Sequence, residues 1–95
     1  MKTKVVNIRK VKEYDVYIGR LSPFGNPFRI GRDGTREEVL EKFEEYFDHR
    51  MSHDLLFRAV VHELSGKVLA CYCKPKRCHG DIIAKYLNER CKNEP

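Results

Sequence analysis

One short run constrains the fold of this chain more than any other: residues 67–73, KVLACYC. Its centre, Val68-Leu69-Ala70-Cys71, is apolar at four consecutive positions. A strand with one wet face alternates apolar and polar residues instead, so this one belongs in the middle of a sheet and is covered on both sides. That is the habit of parallel sheets in α/β proteins. The downstream sequence agrees with it. A turn with Pro75 leads into an amphipathic helix from residue 79 or 80 to about 91, with Ile82, Ile83, Tyr86 and Leu87 on one side.

Upstream, Val5, Val6 and Ile8 mark a strand over residues 3–9, and DVYIGR marks another over 15–20. Residues 21–34 carry Pro23, Gly25, Pro27, Gly31 and Gly34 and read as a long loop, a kind of segment that is often functional. Thr35-Arg36-Glu37-Glu38 has the pattern of a capping box at a helix start. Val39, Leu40, Phe43, Phe47 and Met51 then follow at the spacing of one helical face. A second helix is expected over residues 54–64, with Leu55, Leu56, Ala59, Val60 and Leu64 inward and Gly66 as a left-handed stop. The order is β, β, loop, α, α, β, α. It predicts a small three-layer α/β domain in which a short, mostly parallel sheet has helices on both faces. Ninety-five residues suit a single domain, residues 1–95, with its core at about 3–91.

The whole chain carries +5, yet residues 36–48 alone sum to −4, so the remainder is +9. A basic remainder attracts phosphate, nucleotide or nucleic acid, although a solvated surface has the same composition. No apolar run is long enough for a membrane helix, and MKTKVVNIRK lacks the apolar core of a signal peptide. The expectation is a soluble, cytoplasmic protein, monomer or homodimer, with no membrane partner. Three of the four cysteines crowd into residues 71–78, which favours free thiols or metal ligands over a disulfide framework. Cys91 reads as a packing residue.

Two constellations carry chemistry. In Cys71-x-Cys73-Lys-Pro-Lys-Arg-Cys78-His79-Gly80-Asp81, the first two thiols share a strand face, and Cys78 and His79 open the last helix. The helix start favours an anion and a lowered thiol pKa. The cluster allows three readings: a zinc set of Cys71, Cys73, Cys78 and His79; a reactive thiol at Cys78; or a binding pocket in which Cys71 and Cys73 are core and His79, the Gly80 amide and Asp81 meet the ligand. Zinc is the less favoured, because its knuckles usually come in pairs. The second constellation is Gly19-Arg20-Leu21-Ser22-Pro23-Phe24-Gly25-Asn26-Pro27-Phe28. Here Gly25 offers backbone freedom and Asn26 precedes a proline. Phe24 and Phe28 either plug the core or wall a pocket for a flat ring. Arg20, Arg29, Arg32 and Arg36 nearby suit phosphates, although a solvated loop would carry them as well.

The strings VVNIR, DVYIGR, FGNPF, IGRDGTREEV and CYCKPKRCHGD, in this order, resemble a family of phage and bacterial proteins catalogued as domain of unknown function 4326. Positions matching its shared pattern include Asn7, Arg9, Gly19, Arg20, Phe24, Gly25, Asn26, Pro27 and Phe28. Gly34, Arg36, Cys71, Cys73, Pro75, Cys78, His79, Gly80 and Asp81 complete the set. The C-terminal segment also looks like a second, Rossmann-like family, which commonly has Arg where this chain has Gly80. The resemblance implies a Rossmann-like fold with a site at the last strand-to-helix junction, and supplies no substrate, reaction or metal.

The function expected from these features is binding of a phosphate-containing small molecule, a nucleotide or its derivative, with or without hydrolysis. His79 and Asp81 are the candidates for proton transfer. Asn7, Arg9, Gly19, Arg20, Phe24, Gly25, Asn26, Phe28, Arg36, Cys78 and Gly80 are the candidates for binding. No cofactor is expected. The alternatives are a phage-type interaction module for nucleic acid or a host protein, and a zinc-stabilised mini-domain.

Overall fold

A computed structural model describes residues 2–74 and 76–93, with side chains as far as Arg90. The Pro75 turn and the packing of Cys91 therefore lie outside the described residues. The order is β1 (Lys4–Asn7), β2 (Val16–Tyr17), α1 (Arg36–His53), α2 (Leu55–His62), β3 (Val68–Cys71) and α3 (His79–Asn93). The three strands form a parallel sheet in the order β1-β3-β2. KVLACYC is thus the central strand that its apolar run predicts, with Leu69 and Ala70 both fully buried. Val5 and Val16 both pair with Leu69, so the three lie side by side on one face.

The two faces of this sheet are not equivalent. Val5, Val16, Ile18, Leu69 and Cys71 join one continuous core with Leu40, Phe43, Phe47, Phe57, Ile83 and Leu87 of the helices. Their neighbours of opposite parity, Val6, Tyr17 and Ala70, lie outside that core. The expectation of helices on both faces is therefore corrected: the described helices share one face, α3 lying on β1 and β3, and α1 on α3. The chain itself supplies the reason. β1 and β2 flank β3, so residues 8–15 must cross the central strand. A helical crossover takes about a dozen residues or more, and this connection is too short to form one. Right-handed connections put this crossing and the α1–α2 crossing on opposite faces, because they run in opposite directions along the sheet.

Helix α1 begins where the capping box places it. Thr35 Oγ1 accepts from the Glu38 amide at 3.3 Å, and Glu38 Oε1 accepts from the Thr35 amide at 3.0 Å. Asp54 divides α1 from α2 by accepting the Phe57 amide and pairing with Arg50 at 2.7 Å. Gly66 is left-handed, φ 78°, as expected of a stop.

Helix α2 shows a different inner face from the one expected. Phe57 and Val61 are buried in its place, and Leu64 is buried as expected, whereas Leu55 and Leu56 are 72% and 82% exposed and Ala59 and Val60 also face outward. Phe57 decides this rotation: its ring meets Phe47 edge-on at 6.1 Å and lies under the Arg50 guanidinium at 4.0 Å. Expected strand 15–20 is also shorter, since after Ile18 donates to Ala70 the chain turns at Gly19, whose carbonyl accepts from Ser22.

Candidate functional site

A cavity of about 580 Å³ opens beyond the carboxyl ends of β2 and β3. Four stretches of chain build it. Tyr17, Gly19, Arg20 and Leu21 leave β2; Asn26, Phe28 and Ile30 come from the loop. Arg36, Val39 and Leu40 come from the start of α1, and Cys71, Tyr72, Cys73, Cys78 and His79 from the β3–α3 junction. The two sequence constellations, about fifty residues apart in the chain, thus meet in space. Of the expected binding residues, Gly19, Arg20, Asn26, Phe28, Arg36 and Cys78 line the cavity, together with His79.

The others sit elsewhere, each with a physical job. Asn7 donates to the Lys74 carbonyl at 2.6 Å and accepts the Arg9 amide, tying β1 to the segment after β3. Arg9 lies over the Tyr72 ring at 5.2 Å and does not line the cavity. Phe24 turns into the core at 8% exposure, so of the two loop phenylalanines only Phe28 forms wall. Gly25 is not left-handed; it is small because the Gly19 carbonyl comes within 2.7 Å of where a Cβ would stand. Gly80 lets α3 approach the sheet, where a Cβ would stand 2.6 Å from Ile18 and 3.1 Å from Val5.

Four lining residues, Tyr17, Leu21, Ile30 and Tyr72, were given no role by the sequence. Tyr17 and Tyr72 meet edge-on at 6.1 Å beside the cavity. Their signal was available, because each is a large ring at the carboxyl end of a strand. Leu21 is fully exposed and left-handed, φ 70°, the only such non-glycine among the described residues. A β-region preference is being overridden there at the rim of the cavity.

His79 is held on two sides. Its Nε2 lies 2.7 Å from the Ile18 carbonyl, and its ring meets Phe43 edge-on at 5.3 Å. A carbonyl only accepts, so Nε2 carries the proton and Nδ1 is the acceptor of the neutral ring. Asp81 faces away. It pairs with Lys74, accepts the Cys78 amide at 2.9 Å as a helix cap, and borders a smaller cavity of about 270 Å³ with Glu44, Asp48, Arg77, Lys85 and Glu89. The expected acid/base pair is therefore divided between two cavities. Cys71 and Cys78 have their sulfurs 3.3 Å apart. Among the described residues no three His, Cys, Asp or Glu side chains gather as a metal would need.

The profile of the family described as domain of unknown function 4326 matches residues 2–89. The chain belongs to that family. This DUF4326 domain is 40% identical over 92 residues to an uncharacterized 12.4 kDa protein of Enterobacteria phage T4, from its nrdA-td intergenic region. That match takes in 96% of this chain and 82% of the phage protein. It is 34% identical over 91 residues to an uncharacterized protein of Acanthamoeba polyphaga mimivirus, covering 77% of this chain and 66% of the other. No solved structure matches it significantly. No helix among its described residues is long and apolar enough to cross a membrane.

The buried imidazole of the DUF4326 domain has a consequence for stability. Burial lowers the His79 pKa from its ordinary 6.5, outweighing the Ile18 hydrogen bond and the charge of Asp81. Between 6.5 and that lowered value the unfolded chain holds a proton that the native state refuses, so stability falls as pH falls through this window. Asp33, Glu38 and Asp54 are also depressed, from 3.8, 4.5 and 3.8, and lose their contribution only at lower pH. Urea denaturation between about pH 7.5 and 5 should show the loss in wild type and a flatter profile in His79→Gln. Parallel profiles would place the titration elsewhere.

Proposed function

We propose that this domain binds a phosphate-containing small molecule, a nucleotide or nucleotide derivative, in the larger cavity. One observation carries the reading: Arg20 and Arg36 converge with the rings of Tyr17, Phe28 and Tyr72 on one space of about 580 Å³. Cationic groups and flat aromatic faces are what a phosphate joined to a base requires. The positive end of α3 adds to the field at Cys78 and His79. A Rossmann-like arrangement, with the ligand beyond the carboxyl ends of parallel strands, is part of the same proposal. On this reading His79 meets the ligand and Asp81 caps the helix. If the bound molecule is hydrolysed, proton transfer falls to His79 Nδ1.

The test is thermal stabilisation by a panel of nucleoside mono-, di- and triphosphates, with inorganic phosphate as the comparison. A ligand at 100 times its Kd adds about 2.7 kcal/mol to stability, a large rise in Tm for a domain of this size. Arg20→Ala and Arg36→Ala should each weaken binding roughly tenfold, the scale of a lost hydrogen bond to a charged group. No shift with any nucleotide, or equal shifts in the variants, would count against the pocket. Tight oligonucleotide binding with a steep salt dependence, without mononucleotide binding, would move the assignment to nucleic acid.

A further inference from the structure

We infer that Cys71 and Cys78 form a redox-active dithiol on the cavity wall, which reduces small anionic disulfides that enter it. The two sulfurs lie 3.3 Å apart in hydrogen-bond contact, so closing them to bonding distance takes roughly 1 Å of movement. Both residues are 1% exposed, yet both line the cavity. A disulfide on a protein surface cannot reach them, whereas a small one can approach through the mouth. Arg20 and Arg36 on the same cavity favour carboxylates or phosphates on that molecule.

The environment sorts the two roles. The Cys78 thiol and the amides of Cys73 and Lys74 all hydrogen-bond to the Cys71 sulfur, which favours its thiolate and makes it the attacking group. Cys78, whose pKa is raised by holding its proton toward Cys71, is the resolving thiol. The Cys71 thiolate attacks one sulfur of the substrate, whose S–S bond breaks to release the first thiolate. The Cys78 proton passes to that leaving group. The Cys78 thiolate then attacks Cys71, forming the Cys71–Cys78 bond and releasing the second thiolate, which takes a proton from water. Two electrons have moved from the protein to the substrate.

This inference needs the cavity to admit a small anion, but not to hold a nucleotide. Its test mixes reduced protein, freed of reductant, with glutathione disulfide and follows intact mass and peptide maps. Wild type should lose two hydrogens and link Cys71 to Cys78. Cys78→Ser should stop with glutathione on Cys71, and Cys71→Ser should react about tenfold more slowly or less. Cys73→Ser keeps both partners and should still form the link, which preserves the test should either other variant fail to fold. A bond through Cys73, glutathione confined to Cys91, or no reaction in the native protein would overturn the inference. Exchange without nucleotide binding removes only the earlier proposal, and nucleotide binding without exchange removes only this one.

Discussion

Phe43→Ala should cost about 3–5 kcal/mol of folding stability, the scale of emptying a buried aromatic site. Phe43 is 1% exposed and sits where the elements of the domain meet. Its ring stacks on Phe47 at 5.9 Å, leans on Tyr46 at 5.9 Å and takes the edge of His79 at 5.3 Å. Phe47 in turn touches Phe57 of α2 and Tyr86 of α3, so a void at Phe43 is felt in all three helices. A domain of this size has about 5–15 kcal/mol in total, and the variant is expected near the edge of folding. Phe43→Leu, which keeps most of the volume, should cost under about 1.5 kcal/mol. Urea midpoints measure both. A loss below about 1 kcal/mol for the alanine would mean that α1 collapses into the space, and that the core does not depend on this ring.

What the chain discloses without coordinates follows a physical division. Local rules were readable: the capping box at Thr35 and Glu38, the left-handed Gly66, and the central strand at residues 68–71 are each decided within a few residues. The inner face of α2 was not, because its apolar positions wrap around the helix and offer more than one face. The choice is made by Phe47 and Arg50 on another helix, and propensity says nothing about that. The same holds for Phe24 and Phe28, one plug and one wall, which are alike to any local rule. The split between His79 and Asp81 could have been read. Residues two apart on a helix point about 200° from each other, so a side chain facing the cavity and its second neighbour cannot share it. Helices on both faces failed for a reason only the strand order reveals, since residues 8–15 had to cross β3 without room for a helix.

Gly25→Ala is the sharper probe of the cavity, because the new methyl has only backbone to push against. Its Cβ would stand 2.7 Å from the Gly19 carbonyl oxygen, 3.3 Å from the Gly19 carbonyl carbon and 3.4 Å from the Arg20 Cα. No side chain can swing aside, and the Gly19 carbonyl is already fixed by Ser22, whose hydroxyl donates to it at 2.6 Å. The substitution therefore costs about 1–3 kcal/mol through overpacking, unless the 19–20 segment moves away. That movement carries Gly19 and Arg20, both on the cavity wall. Stability and nucleotide binding should fall together, with binding reduced as far as in Arg20→Ala. Gly31→Ala separates the two effects: nothing lies within 4 Å of its Cβ, and its penalty comes from φ +95° alone. It should lose about 1 kcal/mol of stability and leave affinity unchanged, because Gly31 is not part of the cavity wall. Equal affinity in wild type and Gly25→Ala, measured by titration calorimetry on folded protein, would show that the close contact of Gly25 with Gly19 shapes the loop without shaping the site.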